Sequence, residues 1–132
     1  MREQPTTTTL TEDKAWELLA QQSIGRLATV DDGRPDIFPV GYTVEDRLIY
    51  VRTTQGTRLA RLAAGADVAF EADRLGFDVA ESVVVKGRAE VLEHGSDRTM
   101  AEATGLVSFP RGHKDVWVRI TPSEVTGRHL NR

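Results

Sequence analysis

Apolar residues change their spacing several times along this chain, and each change marks an element. Residues 1–9, "MREQPTTTT", show no apolar period and read as a flexible arm ahead of a single domain over 10–132. In "LTEDKAWELLAQQS" the residues Ala15, Leu18 and Leu19 recur at helical spacing. Thr11 is a suitable N-cap, with Glu12 and Asp13 at the positive end of the helix dipole. Thr9 competes for the same role, because Glu12 would complete a capping box with it. From residue 24 the period is two. "IGRLATV" (24–30), "DIFPVGYTV" (36–44), "RLIYVRT" (47–53) and "DVAFEAD" (67–73) read as strands, with turns at "DDGRP" and "EDR". Pro39 marks an edge, a bulge or a bend.

Between the third and fourth of these strands, "GTRLARLAAG" (56–65) is helical, with Leu59, Leu62 and Ala63 on one side and Gly65 as its stop. The clearest alternation is "SVVVKGRAEVL" (82–92), where Val83, Val85, Gly87, Ala89 and Val91 share a dry face opposite Lys86, Arg88 and Glu90. "SDRTMAEATG" (96–105) is a weaker helix and "LVSFPRGH" a connecting loop. "KDVWVRITP" (114–122) and "SEVTGRHL" (123–130) complete the chain as strands. The pattern predicts a mainly β protein, a small six-stranded antiparallel barrel with short helices.

Composition narrows the function classes. The 132 residues suit one domain, and a net charge of -3 argues against a general nucleic-acid partner. There is no cysteine, hence no disulfide or thiolate metal site. His94, His113 and His129 stand in no metal-ligand spacing, so no metal site is expected. No apolar run approaches the roughly 20 residues that span a bilayer, and the N-terminus lacks a signal-peptide pattern. A soluble, cytoplasmic protein without membrane association is the expectation.

One junction concentrates candidate chemistry. In "IYVRTTQGTRLARL" (49–62) a strand hands over to a helix amid Arg52, Thr53, Thr54, Gly56, Thr57 and Arg58. Guanidinium groups fork onto phosphate oxygens, hydroxyls add donors, and a glycine permits close backbone approach. A capped surface helix with two solvated arginines has the same local sequence. The ending of a Walker phosphate loop and the glycine fingerprint of dinucleotide-binding folds are both missing.

The ordered series "GRLATV", "RPDIFPVGYTV", "LIYVRTTQGTRL", "VAFEAD", "SVVVKGRAEVL" and "VWVRITPSEVTGR" resembles the flavin-binding split-barrel proteins, a superfamily that includes pyridoxamine 5'-phosphate oxidase. The resemblance spans about residues 10 to 130. It implies a Greek-key split barrel acting as a homodimer, with two FMN sites at the subunit interface and a small-molecule substrate. It also implies that Arg52, Thr53, Thr57 and Arg58 hold the FMN phosphate, and that Pro39, Val40, Gly41 and Tyr42 run beside the isoalloxazine ring. Ser82 matches a polar contact to the flavin, and the resemblance brings Trp117 and Arg119 across from the second subunit. Glu81 stands where many small relatives carry an aromatic residue. As a surface acid it is expected to face solvent.

Three functions fit this resemblance. The first is an FMN-dependent oxidoreductase, the flavin supplying hydride or electron transfer. The second is a reductase using the deazaflavin F420, whose longer anionic tail would draw on Arg61, Lys86 and Arg88. The third is a non-catalytic module binding flavin or haem. No residue is singled out as catalytic, and Trp16, Trp117 and Tyr42 each have ordinary packing as the competing reading.

Overall fold

The computed structural model describes residues 6–54, 57–106 and 115–131. Among these residues seven strands and three helices follow in the order β1 (Thr6–Leu10), α1 (Glu12–Gln21), β2 (Ile24–Asp31), β3 (Arg34–Glu45), β4 (Leu48–Thr54), α2 (Arg58–Ala63), β5 (Asp67–Leu75), β6 (Val79–Leu92), α3 (Ser96–Ala103) and β7 (Asp115–Asn131). Hydrogen bonding runs β1-β7-β4-β3-β2-β5-β6, and a further β6–β7 pairing closes the ring. Six strands therefore form an antiparallel barrel, and β1 is added alongside β7. Residues 6–9, expected as part of an arm, pair instead with residues 128–131. A run of β-branched threonines beside a long strand satisfies its backbone groups there, although it offers no apolar pattern to read.

The two C-terminal segments predicted as separate strands are one, β7. Its register against β6 shifts where Gly87 pairs with Pro122 and Lys86 with Glu124, leaving Ser123 as the extra residue. Its hydroxyl donates to the Lys86 carbonyl at 3.1 Å. Pro122 lacks an N–H, so an irregular point of the ladder suits it.

Both tight hairpins need left-handed residues. Asp32 and Gly33 turn β2 into β3 with φ of 52° and 73°, and Asp46 and Arg47 turn β3 into β4 with 53° and 57°. Arg47 has no glycine's freedom; its guanidinium bonds Asp13 at 2.5 Å and lies over Trp16, which ties the hairpin to α1.

Leu27, Phe70, Val83, Val85, Val118 and Ile120 fill the barrel from alternate positions of four of the ring strands. Across one end lies α1, capped by the Thr11 hydroxyl, which accepts from the Lys14 N–H. Its Ala15, Trp16, Leu18 and Leu19 are buried. Across the other lies α2, whose Leu59 and Ala63 are buried; beyond it the Ala66 carbonyl accepts from Ala89 N–H. Near the α1 end, Glu81 is held by Arg74 and His129, and Arg74 also reaches Gln21. Glu81 is thus not solvated as the sequence suggested: its side chain is only 14% exposed. The hairpin pairing of β5 and β6 sets Arg74 opposite it, and β7 sets His129 opposite it.

This cluster makes a pH prediction. Hydrogen bonds from His129 and Arg74 hold the Glu81 carboxyl below its ordinary 4.5. A group with a depressed folded-state pKa stabilises the fold above its unfolded value and loses that contribution as pH falls through the folded value. Denaturant midpoints measured from pH 7 down to pH 3 should fall further for the wild type than for Glu81→Gln. Parallel profiles would remove Glu81 from the acid response.

Candidate functional site

Strand alternation separates the residues of the "VRTT" junction. Ile49, Val51 and Thr53 follow the interior side of β4, whereas Tyr50 and Arg52 lie on its outer side. Thr53 reaches the start of α2, where its hydroxyl stands 3.4 Å from that of Thr57. The Thr57 hydroxyl accepts from the Ala60 N–H and caps α2. Arg58 leaves the first turn of α2 and bonds Asp36 of β3 at 2.7 Å. Arg52 donates to the Leu106 carbonyl at 2.7 Å, and its guanidinium carbon is 5.2 Å from the centre of the Trp117 ring. The structure therefore gathers Thr53, Thr57 and Arg58 at one end of the barrel and leaves Arg52 on the outer face of β4, on another partner. Gly56 lies outside the described residues.

Pro39, Val40, Gly41 and Tyr42 divide in the same way. Val40 and Tyr42 point into the barrel. Tyr42 is 2% exposed, its ring meets Phe70 edge-on at 4.7 Å, and its hydroxyl donates to the Leu19 carbonyl at 2.6 Å. Burial pushes its phenol well above the ordinary value. Its side chain is a core element joining α1 to β3, so Tyr42 and Val40 present only backbone to the surface. Pro39 and Gly41 lie on the outer face, opposite Arg26 and Ile24. Ser82 is on the same outer side of β6, opposite Asp73 and Arg128.

That outer face carries a feature the sequence did not reveal. Arg26 of β2 bonds Glu71 at 2.5 Å and Asp73 at 2.9 Å, both from β5. Burial works to lower the Arg26 pKa, but its two carboxylates raise it on balance. Burial chiefly raises that of Glu71. Around this trio stand Ile24, Val30 and Ile37, exposed by 61%, 66% and 68%. The period-two pattern of "IGRLATV" put Arg26 between Ile24 and Ala28, but pairing with a strand forty-five residues away was not readable from it.

Trp117 and Arg119 sit against their own chain. Trp117 pairs with Arg52 and Arg119 with Tyr50 across the β4–β7 ladder. Trp117 is 3% exposed and packs with Tyr50, Leu92 and Ala101. Arg119 lies 3.2 Å from Asp97 of α3 and 3.7 Å from Glu90 of β6. Burial alone would lower the Arg119 pKa, but Asp97, with Glu90 and the Tyr50 hydroxyl, raises it. Instead of projecting outward, both side chains are covered by α3. Among the described residues no three His, Asp or Glu side chains converge on a metal position, and no helix is long and apolar enough to cross a membrane.

The model of the family described as pyridoxamine 5'-phosphate oxidase matches residues 11–129, which contain the whole closed ring except the end of β7. The chain belongs to the pyridoxamine 5'-phosphate oxidase family. An uncharacterized protein of Mycobacterium tuberculosis (strain ATCC 25618 / H37Rv) is 38% identical over 87 residues, 66% of this chain and 79% of that protein. The structure of the FAD binding protein from Mycobacterium smegmatis is 33% identical with a TM-score of 0.85, covering 95% of this chain and 99% of that one. A conserved protein of unknown function from Corynebacterium diphtheriae is 32% identical with a TM-score of 0.80, over 92% and 96% of the two chains. Within this pyridoxamine 5'-phosphate oxidase family member, the split-barrel frame expected from the motif order is present, with β1 as a seventh strand.

Proposed function

We propose that the protein binds a flavin nucleotide, FMN or its adenylated form FAD, and works as an oxidoreductase on a small molecule. The observation that carries this reading is the donor set at the β4–α2 junction: Thr53, Thr57 and Arg58 together, with Arg52 on the outer face of the adjoining strand. Two guanidiniums and two hydroxyls suit a phosphate ester, and each charge-assisted bond contributes about 1.5–3 kcal/mol. The Arg58–Asp36 pair is half-exposed and weak enough to yield to a phosphate. The FAD-binding relative of M. smegmatis, similar over nearly its whole length, supports a flavin over F420. Bound flavin supplies hydride or electron transfer; this chain binds it, orients it and excludes water.

The reading includes a homodimer. Ile24, Val30, Ile37 and Pro39 make an exposed apolar surface on the outer β2–β3 face. A second copy seated there would bury it and give a planar ring two walls. Ile37→Glu, a change at an exposed position, should leave the thermal midpoint nearly unchanged and halve the mass seen by light scattering. A wild-type monomer that retains flavin would overturn the shared site.

The direct test is mass spectrometry of the small molecule released from purified protein. FMN or FAD is expected, with a yellow holoprotein that is bleached by NAD(P)H or dithionite. Protein that neither retains nor takes up either flavin would overturn the proposal.

A further inference from the structure

Unlike the other two helices, α3 covers no end of the barrel. It lies on the outer side of β4 and β7, where Tyr50 and Trp117 form an aromatic floor with Leu92. Ala101 of α3 and Leu106, just beyond it, close over that floor. Two guanidiniums flank the floor, and both are held by the cover. Arg52 donates to the Leu106 carbonyl, and Arg119 meets the Asp97 carboxylate in the first turn of α3. A cation over an aromatic face, a second cation one strand pair away and a flat apolar floor together suit a planar anionic ligand.

Beyond the Arg52 and Arg119 contacts, the cover is tied to the barrel by Arg98, which donates to the Leu92 carbonyl at 3.0 Å. It is eight residues long, Gly95 at its N-cap has a φ of 95° and supplies no side-chain bond, and Ala101 is its one buried residue. Met100 is 58% exposed on the same helix. With the cover closed, Nε of Arg119 is buried without a hydrogen-bond partner, which is an unfavourable arrangement that water or a ligand would relieve.

We propose that α3 and Leu106 form a displaceable cover over an anion-binding surface made by Tyr50, Arg52, Trp117 and Arg119. An anionic group of a planar ligand competes with the Asp97 carboxylate and the Leu106 carbonyl for the two guanidiniums. Binding opens the cover, so weakening the cover tightens binding, because apparent affinity scales with the fraction of molecules already open. The inference rests on the flavin reading only for the name of the ligand.

Inorganic pyrophosphate probes the surface without a flavin. In the full chain, saturating pyrophosphate should speed amide hydrogen exchange over residues 96–106 severalfold while β2, β5 and β6 keep their protection. Asp97→Asn and Leu106→Ala should each bind pyrophosphate about three- to tenfold more tightly than wild type. Glu102→Gln makes the same charge change as Asp97→Asn on the same helix, but its partner is Arg98. It should leave affinity unchanged. Slower exchange over 96–106, equal affinity in Asp97→Asn and Leu106→Ala, or no pyrophosphate binding by any of these proteins would overturn the cover. The two proposals fail separately. If FMN and FAD bind nothing while pyrophosphate behaves as stated, the cover stands and the flavin reading falls. If flavin binding needs Arg52 but ignores both cover variants, the cover falls and the flavin reading stands.

Discussion

Replacing Arg52 and Arg58 together by alanine should lower flavin affinity by about two to four orders of magnitude while the barrel stays folded. Two charge-assisted contacts at about 1.5–3 kcal/mol each set the range, at about 1.4 kcal/mol per decade. The lower end is favoured, because each arginine first gives up a partner. Arg58 leaves Asp36, at little cost in a half-exposed pair, whereas Arg52 leaves the part-buried Leu106 carbonyl. Arg52→Ala should therefore show the opposing effects of a lost phosphate contact and a loosened cover, and Arg58→Ala only the former. Neither side chain belongs to the main barrel core, so the far-ultraviolet spectrum and barrel protection should persist. Titration with FMN and FAD measures the effect, and affinity within threefold of wild type in the double variant would end the phosphate-clamp assignment.

Gly87→Ala should cost about 2–3 kcal/mol of stability, with a thermal midpoint lower by roughly 10 °C. A methyl group at this position would lie 2.3 Å from the Thr121 carbonyl oxygen and 2.9 Å from its carbon. These are backbone atoms of the paired strand at the register shift, so no side-chain rotation relieves the contact. Gly33→Ala, in a turn where nothing stands near the added carbon, is the comparison: its strain comes from φ of 73° alone. Thermal unfolding of both variants measures the difference, and a Gly87→Ala midpoint within 2 °C of wild type would mean that β6 and β7 separate there at no cost. The strand pattern of "SVVVKGRAEVL" placed Gly87 correctly on the dry face, but the close approach of β7 belongs to a pairing thirty-five residues away.

Local chemistry determined much of this protein. Period-two runs drew β2 to β6, helical spacing drew α1, α2 and α3, Thr11 was readable as a cap, and the order of motifs matched the family. These features depend on neighbours a few residues apart, which a single sequence displays directly. Tertiary structure decided the rest. It recruited the threonines of β1 to the edge of β7, joined the last two segments through Ser123, and turned Tyr42 inward to Leu19. It also set Glu81 between Arg74 and His129, and put Arg52, Tyr50, Trp117 and Arg119 beneath α3. Each of these depends on which distant strand lies alongside and which face it offers. Such choices are made by burial and by the completion of backbone and charged hydrogen bonds across the closed ring, and no local window of sequence contains both partners.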